Sequence, residues 1–215
     1  MPKQTISNLY SDVKLAYLKK YLKGTSILDL GAGQCHYTKW ISQQWPKYSI
    51  VAIDQLNIPK QTTFNYVKHN LEKPLPFESN TFSTIIAFDI IEHISNENNL
   101  LQELQRISIE NGILIGSVPH DDDGFLPQYN LTFYHRTDLT HKRYYTTDTL
   151  KKTLENNGFS VLLINLEGTV PAQVFAEFFN KNLHFIIKKI IGILRRLHII
   201  STKKLASDIF FVAQK

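Results

Sequence analysis

A single cysteine, Cys35, excludes a fold stapled by disulfides within the chain. The opening stretch MPKQTISNLYSD has neither the apolar run nor the small-residue cleavage site of a secretory leader, so the expected compartment is the cytoplasm. Internal repeats, low-complexity tracts and a flexible linker are also lacking, which argues against arrays and tethered modules. Acidic residues are absent between Phe178 and Ser207, where seven residues are basic: Lys181, Lys188, Lys189, Arg195, Arg196, Lys203 and Lys204. Subtracting those seven leaves 17 basic against 19 acidic residues, so the formal charge of +5 is a local feature and the main body is nearly neutral. Nucleic acid is therefore not the expected partner, since the basic face lacks interleaved aromatics and any known binding motif.

What is present is 43% hydrophobic residues over 215, enough for one α/β domain spanning 1–215. Two elaborations are expected on it, an N-terminal helix within 1–24 and a helical insertion over 167–205. The helix is read from Leu9 to Leu22 and should stop at Lys23-Gly24. Strand signals follow at 26–30, 48–54, 63–69, 81–89, 111–118, 159–166 and 207–214, with helices near 36–45, 96–107 and 147–157 between them. The last helix should open at Thr147-Asp148 and close at Asn157-Gly158. The early strands are apolar almost throughout, as strands buried on both faces are. The alternation of strand and helix predicts an open, doubly wound, Rossmann-like sheet, mostly parallel.

In such sheets a ligand sits beyond the carboxyl ends of the strands. The stretch SILDLGAGQCHY runs a strand into a glycine turn: Asp29 is read as ending the strand, and Gly31 and Gly33 remove side chains where backbone would approach a ligand. Asp54 ends the second strand, where a carboxylate can accept from both hydroxyls of a ribose. A nicotinamide oxidoreductase would want a third glycine, but that position is His36. A nucleoside cofactor without a pyrophosphate fits better, because it needs the turn only for backbone contacts.

The segments ILDLGAGQCHYT, VAIDQ, HNLEKPLPFESNTFSTIIAFDIIEHI and DLTHKRYYTTDTLKKTLENNGF together resemble a class I S-adenosylmethionine-dependent methyltransferase. The branch they resemble includes quinone-biosynthesis and small-molecule or sugar O-methyltransferases. The resemblance covers roughly residues 25–166 and the final strand. It implies a seven-stranded sheet with the last strand antiparallel and a small-molecule acceptor. It further implies that Asp29, Gly31, Ala32 and Gly33 wrap the methionine part and adenosine edge of the cofactor, that Asp54 holds the ribose, and that Gln55 packs near the adenine. Asn70-Leu71 stand where the branch often has an acidic residue followed by a small or apolar one at the adenine ring. Leu75-Pro76-Phe77 match its LPF signature, and Phe88-Asp89 face the methionine part.

A sulfonium methyl is already activated, so the protein's main task is to align a nucleophile and exclude water. For a hydroxyl acceptor a general base helps, and near neutrality histidine suits the role. The candidates are His93 in IIEHI and His141, with His135 and Asp138, in FYHRTDLTHKRYY; the family analogy puts both segments near the acceptor pocket. His120-Asp121-Asp122-Asp123 and His135-x-x-Asp138-x-x-His141 contain metal-ligand types, but their spacing fixes no geometry and no metal is expected. His120-Asp121 are read instead as lining for the acceptor site. A binding module that retains the fold without turnover is the other reading, alongside the oxidoreductase.

Between Leu183 and Leu197 one helical face is apolar and the other carries Lys188, Lys189, Arg195 and Arg196. Four basic residues at a bilayer centre would cost about 10 to 14 kcal/mol, against about 3 to 7 returned by the apolar residues of 183–200, so the segment does not span a membrane. It is read either as a lid over the cleft or packing against the N-terminal helix, or as an element lying in an anionic membrane interface at the inner surface.

Overall fold

A computed structural model describes residues 11–57, 64–121, 133–167, 190, 193, 197 and 206–215. Seven strands form one sheet in the order β3-β2-β1-β4-β5-β7-β6. They are β1 (Ser26–Leu30), β2 (Ser49–Asp54), β3 (Asn65–Lys68), β4 (Phe82–Phe88), β5 (Ser108–Pro119), β6 (Ser160–Glu167) and β7 (Asp208–Gln214). Strand β7 is antiparallel to both neighbours, β5 and β6, and the other pairings are parallel. This is the doubly wound sheet that the strand–helix alternation predicts, with the antiparallel last strand that the family resemblance implies.

Alternation along each central strand builds two apolar layers. Leu28, Leu30, Ile85, Ala87, Leu114 and Phe211 face one side, where α3 (Glu97–Ile107) and α4 (Thr147–Asn156) cover them with Leu100, Leu104, Leu150 and Leu154. Ile27, Ile86, Ile113, Ile115 and Phe210 face the other, against Tyr17 and Leu18 of α1 (Asp12–Tyr21) and Ile41 of α2 (His36–Gln44). The near-continuous apolar runs of the sequence are thus shared between two faces, each with its own helices.

Element ends fall within a few residues of the sequence reading, and the hydrogen bonds decide the details. Helix α1 begins at Asp12, because the Ser11 hydroxyl caps it by accepting the Lys14 amide. Helix α4 opens at Thr147 and closes at Asn157, as read, but its cap is Thr146, one residue earlier than the capping types Thr147 and Asp148: Thr146 and Thr149 exchange side-chain and backbone hydrogen bonds in a capping box. Leu30, not Asp29, ends β1. Strand β5 starts at Ser108, directly after α3, and Asn111, at φ 59°, lies within the irregular stretch where its register against β4 shifts. Most of the basic amphipathic segment 183–200 lies outside the described residues, as do Asp122 and Asp123.

Candidate active site

The sheet grows in opposite directions from β1, which pairs with β2 on one side and β4 on the other. The connections leaving these strands therefore diverge and open a crevice at their carboxyl ends. A cleft of about 560 Å³ lies there, a size suited to a small ligand. Its walls come from Gly31 after β1, Asp54 and Gln55 at the end of β2, Asn70 and Leu71 after β3, and Asp89 and His93 after β4. Leu139 and Thr140, ahead of α4, line it as well.

Asp54 fixes the shape of the glycine turn. Its carboxylate, only 9% exposed, accepts the Gly33 amide at 2.8 Å on Oδ2 and the Leu56 amide at 2.9 Å on Oδ1. The amides of Gly31 and Ala32 donate to the Ile53 carbonyl at 2.9 and 3.2 Å, and Cys35 donates to the Ala32 carbonyl at 2.7 Å. These four N–H groups of the turn are consumed inside the protein, so they do not form the free amide cradle that a pyrophosphate needs. Each Asp54 oxygen keeps a second lone pair for a ligand hydroxyl. Gly31 sits at φ +68°, and a Cβ there would lie 1.9 Å from Ile90 Cδ1, so this turn can pass over Ile90 only as glycine.

Asp29, Ala32, Gly33 and Phe88 do not line the cleft. Asp29 is buried beneath α2, where the Thr38 hydroxyl donates to Oδ2; burial raises its carboxyl to about 6, against that hydrogen bond. Phe88 packs edge-on to Tyr37, at 5.4 Å between ring centres, on the α1 and α2 side. The LPF segment lies behind the cleft and is clamped by α3. Glu103 accepts the Leu75 amide at 2.7 Å, and the Arg106 guanidinium donates to the carbonyls of Phe77 and Leu75 at 2.7 and 3.1 Å.

Asp89 occupies a left-handed backbone position at φ 55° directly after β4. Ser117 donates to its Oδ1 at 2.6 Å, and Lys14 of α1 donates to Oδ2 at 2.5 Å. Burial opposes the Lys14 charge, but Asp89 outweighs it and holds the ammonium above its ordinary pKa. Sequence reading missed Lys14, because its partner is 75 positions away and nothing local marks it.

At the other end of the cleft, the Thr140 hydroxyl donates to Asp138 Oδ1 at 2.6 Å and also contacts His93 Nδ1 at 2.9 Å. A hydroxyl has one hydrogen. Its donation to Asp138 makes Nδ1 of His93 the donor to Thr140, which leaves a lone pair on Nε2 of the neutral ring. The His141 ring lies 4.6 Å from that of His93, and burial, then His93, lowers its pKa. His141 is not in the cleft wall; it stands behind His93. Arg143 locks the two segments together by donating to the carbonyls of Ile94 and Ser95 at 2.6 and 2.8 Å. Glu92, which sequence reading also missed, is wholly buried beside them, and burial raises its carboxyl to about 9. A carboxylate set among Ile90, Ile91 and Ile94 is the signal that marks it.

His120 and Asp121 do not line the cleft. His120 Nδ1 lies 3.1 Å from the Ala206 carbonyl, and Asp121 is ion-paired with Arg136. Among the described residues, no helix is long and apolar enough to cross a membrane.

The sequence matches a methyltransferase domain family over residues 4–164. No curated protein matches it. Solved structures with similar folds include an S-adenosylmethionine-dependent methyltransferase from Archaeoglobus fulgidus, 19% identical with a TM-score of 0.62, covering 94% of this chain and 92% of that one. The 1,6-didemethyltoxoflavin-N1-methyltransferase of Burkholderia thailandensis, solved with bound 1,6-didemethyltoxoflavin and S-adenosylhomocysteine, is 15% identical with a TM-score of 0.60, over 94% of this chain and 75% of that one. The [4+2]-cyclase SpnF is 14% identical with a TM-score of 0.62, over 94% and 79%. These likenesses concern the fold; the family match spans most of the sequence, and on it the chain belongs to the methyltransferase domain family.

Proposed function

We propose that the cleft binds S-adenosylmethionine and that the protein transfers its methyl group to a hydroxyl oxygen of a small molecule. The observation that carries this reading is the Asp54 carboxylate, fixed by two amides at the end of β2 beside a turn whose own amides are occupied. Such a group suits a ribose diol next to a cofactor arm without phosphates, and argues against a dinucleotide. The ribose hydroxyls donate to Asp54, the adenine lies against Gln55, Asn70 and Leu71, and the methionine end passes Gly31 towards Asp89. The roles of Asp29, Ala32, Gly33 and Phe88 are then to shape the floor under the cofactor. The acceptor enters at the His93 end, and activation of its hydroxyl falls to His93, with His141 behind it. The methyl carbon needs only an aligned oxygen and a water-poor site.

The test is calorimetric binding of S-adenosylhomocysteine, with NAD as the competitor, followed by transfer of labelled methyl to phenols, sugars and lipid extracts. Binding of S-adenosylhomocysteine with no binding of NAD is expected. Cofactor binding with no label transferred to any class would leave a binding module, a relevant outcome because one fold neighbour is named a cyclase. Flotation of the full chain with anionic vesicles separates a lipid-linked acceptor, delivered through 183–200, from a freely soluble one.

A further inference from the structure

Glu92, His93 and His141 converge at the acceptor end of the cleft, with one ligand atom from each lying within 4.8 Å of the others. Glu92 is 0% exposed and neither carboxyl oxygen has a hydrogen-bond partner, yet Oε1 points towards His93, 3.9 Å from Nε2. Leaving a carboxyl wholly unpartnered in the interior is costly, and a proton alone would not satisfy both oxygens. His141 Nδ1 is likewise buried with no partner. One atom from each residue is thus close enough to share an ion, and the atoms left with lone pairs are the Glu92 oxygens, Nε2 of His93 once Nδ1 bonds Thr140, and Nδ1 of His141.

We infer that Glu92, His93 and His141 bind a divalent transition-metal ion, and that the histidines activate the acceptor hydroxyl through it. This rests on reading the His93 end as the acceptor end. Two imidazoles and one carboxylate suit zinc, cobalt, iron or nickel better than magnesium or calcium, which favour all-oxygen shells. Three protein ligands leave a coordination position open, as in catalytic sites, and the partly exposed His93 turns that position to the cleft. The supporting shell is present too. Thr140 orients His93 through a hydrogen bond at 2.9 Å, and the Asp138 carboxylate stands 3.7 Å from His141 Nε2, on the side of the ring away from Nδ1. This set differs from the ligand runs legible in sequence, where Asp121 is taken by Arg136 and Asp138 by Thr140; only His141 is shared.

In the reaction the acceptor oxygen coordinates the ion and its hydroxyl proton leaves to water at the cleft mouth. An oxygen lone pair then forms the bond to the methyl carbon, the carbon–sulfur bond breaks, and its electron pair stays on sulfur, giving the methyl ether and S-adenosylhomocysteine.

The experiment is titration of the metal-stripped full chain with cobalt(II), followed by its visible absorption, with S-adenosylhomocysteine affinity measured on the same samples. Wild type should take up about one equivalent in a low-symmetry nitrogen and oxygen environment. Thr140→Val should weaken uptake about ten- to a hundredfold, Glu92→Gln and His141→Ala more than that, and the distant His69→Ala not at all. Absence of saturable uptake by wild type, or unchanged uptake by folded Glu92→Gln, overturns the inference; if that variant does not fold, unchanged uptake by both His141→Ala and Thr140→Val does so. Failure of S-adenosylhomocysteine to bind, with cobalt uptake intact, instead sinks the cofactor reading alone.

Discussion

The carboxylate of Asp54 accepts the amide hydrogen of Gly33 at 2.8 Å, so the end of β2 and the turn after β1 are one rigid unit and not two walls that happen to meet. The same carboxylate also takes the Leu56 amide at 2.9 Å, which fixes its plane across the cleft. On the proposed reading, a ribose diol would meet an acceptor already oriented, without the entropic cost of ordering a free side chain.

Asp54→Ala should weaken S-adenosylhomocysteine binding about ten- to a hundredfold, the loss of a charge-assisted hydrogen bond of about 1.5 to 3 kcal/mol. Isothermal calorimetry measures it, with circular dichroism to establish that the variant is folded. Unchanged affinity would remove Asp54 from the site.

Gly31→Ala forces a Cβ against Ile90 and an alanine into φ +68°. The expected destabilisation is about 1 to 3 kcal/mol, read as a lowered urea midpoint. Adding Ile90→Ala should recover the part due to the clash but not the part due to backbone conformation, a separation that a double-mutant cycle resolves.

Burial raises the Asp29 carboxyl from its ordinary 3.8 to about 6. In the unfolded chain this group loses its proton first as pH rises, so its contribution to stability is greatest below about 4 and falls until about 6. Asp29→Asn abolishes this decline, so the stability difference between variant and wild type should move in the variant's favour by about 2 to 3 kcal/mol between pH 4 and pH 7.5. Denaturant unfolding of both proteins across that range isolates the effect, because other carboxylates are common to the two.

Lys14→Ala removes the cation that helps hold Asp89 in the cleft wall. Asp89 is 41% exposed, so solvent screens the pair and the stability loss should be small, about 1 kcal/mol. Cofactor affinity should fall while the hydroxyl contact from Ser117 persists. A matched series of Lys14→Ala, Ser117→Ala and the double variant, read by calorimetry, shows whether the two partners act together.

The sheet was legible because its cause is local: runs such as SIVAID and FSTIIAF can be satisfied only by burial on both faces, and glycine turns and capping residues punctuate them. Gly31, Asp54, Asn70 and Asp89 were legible as cleft residues for the same reason, since strand ends in an open α/β sheet define where a ligand goes. Thr146 escaped notice as a cap because Thr147 and Asp148 are also good capping types, and only the hydrogen bonds choose among neighbours. By itself, then, the sequence determined the fold and the position of the cleft, through periodicity and chain punctuation. Tertiary structure alone decided that Lys14 meets Asp89, that Asp54 spends one lone pair on each of two amides, and that Glu92 lies unpartnered beside two histidines. Those pairings join residues as far as 75 positions apart, and their geometry is set by how helices and loops pack on the finished sheet, which no local pattern encodes.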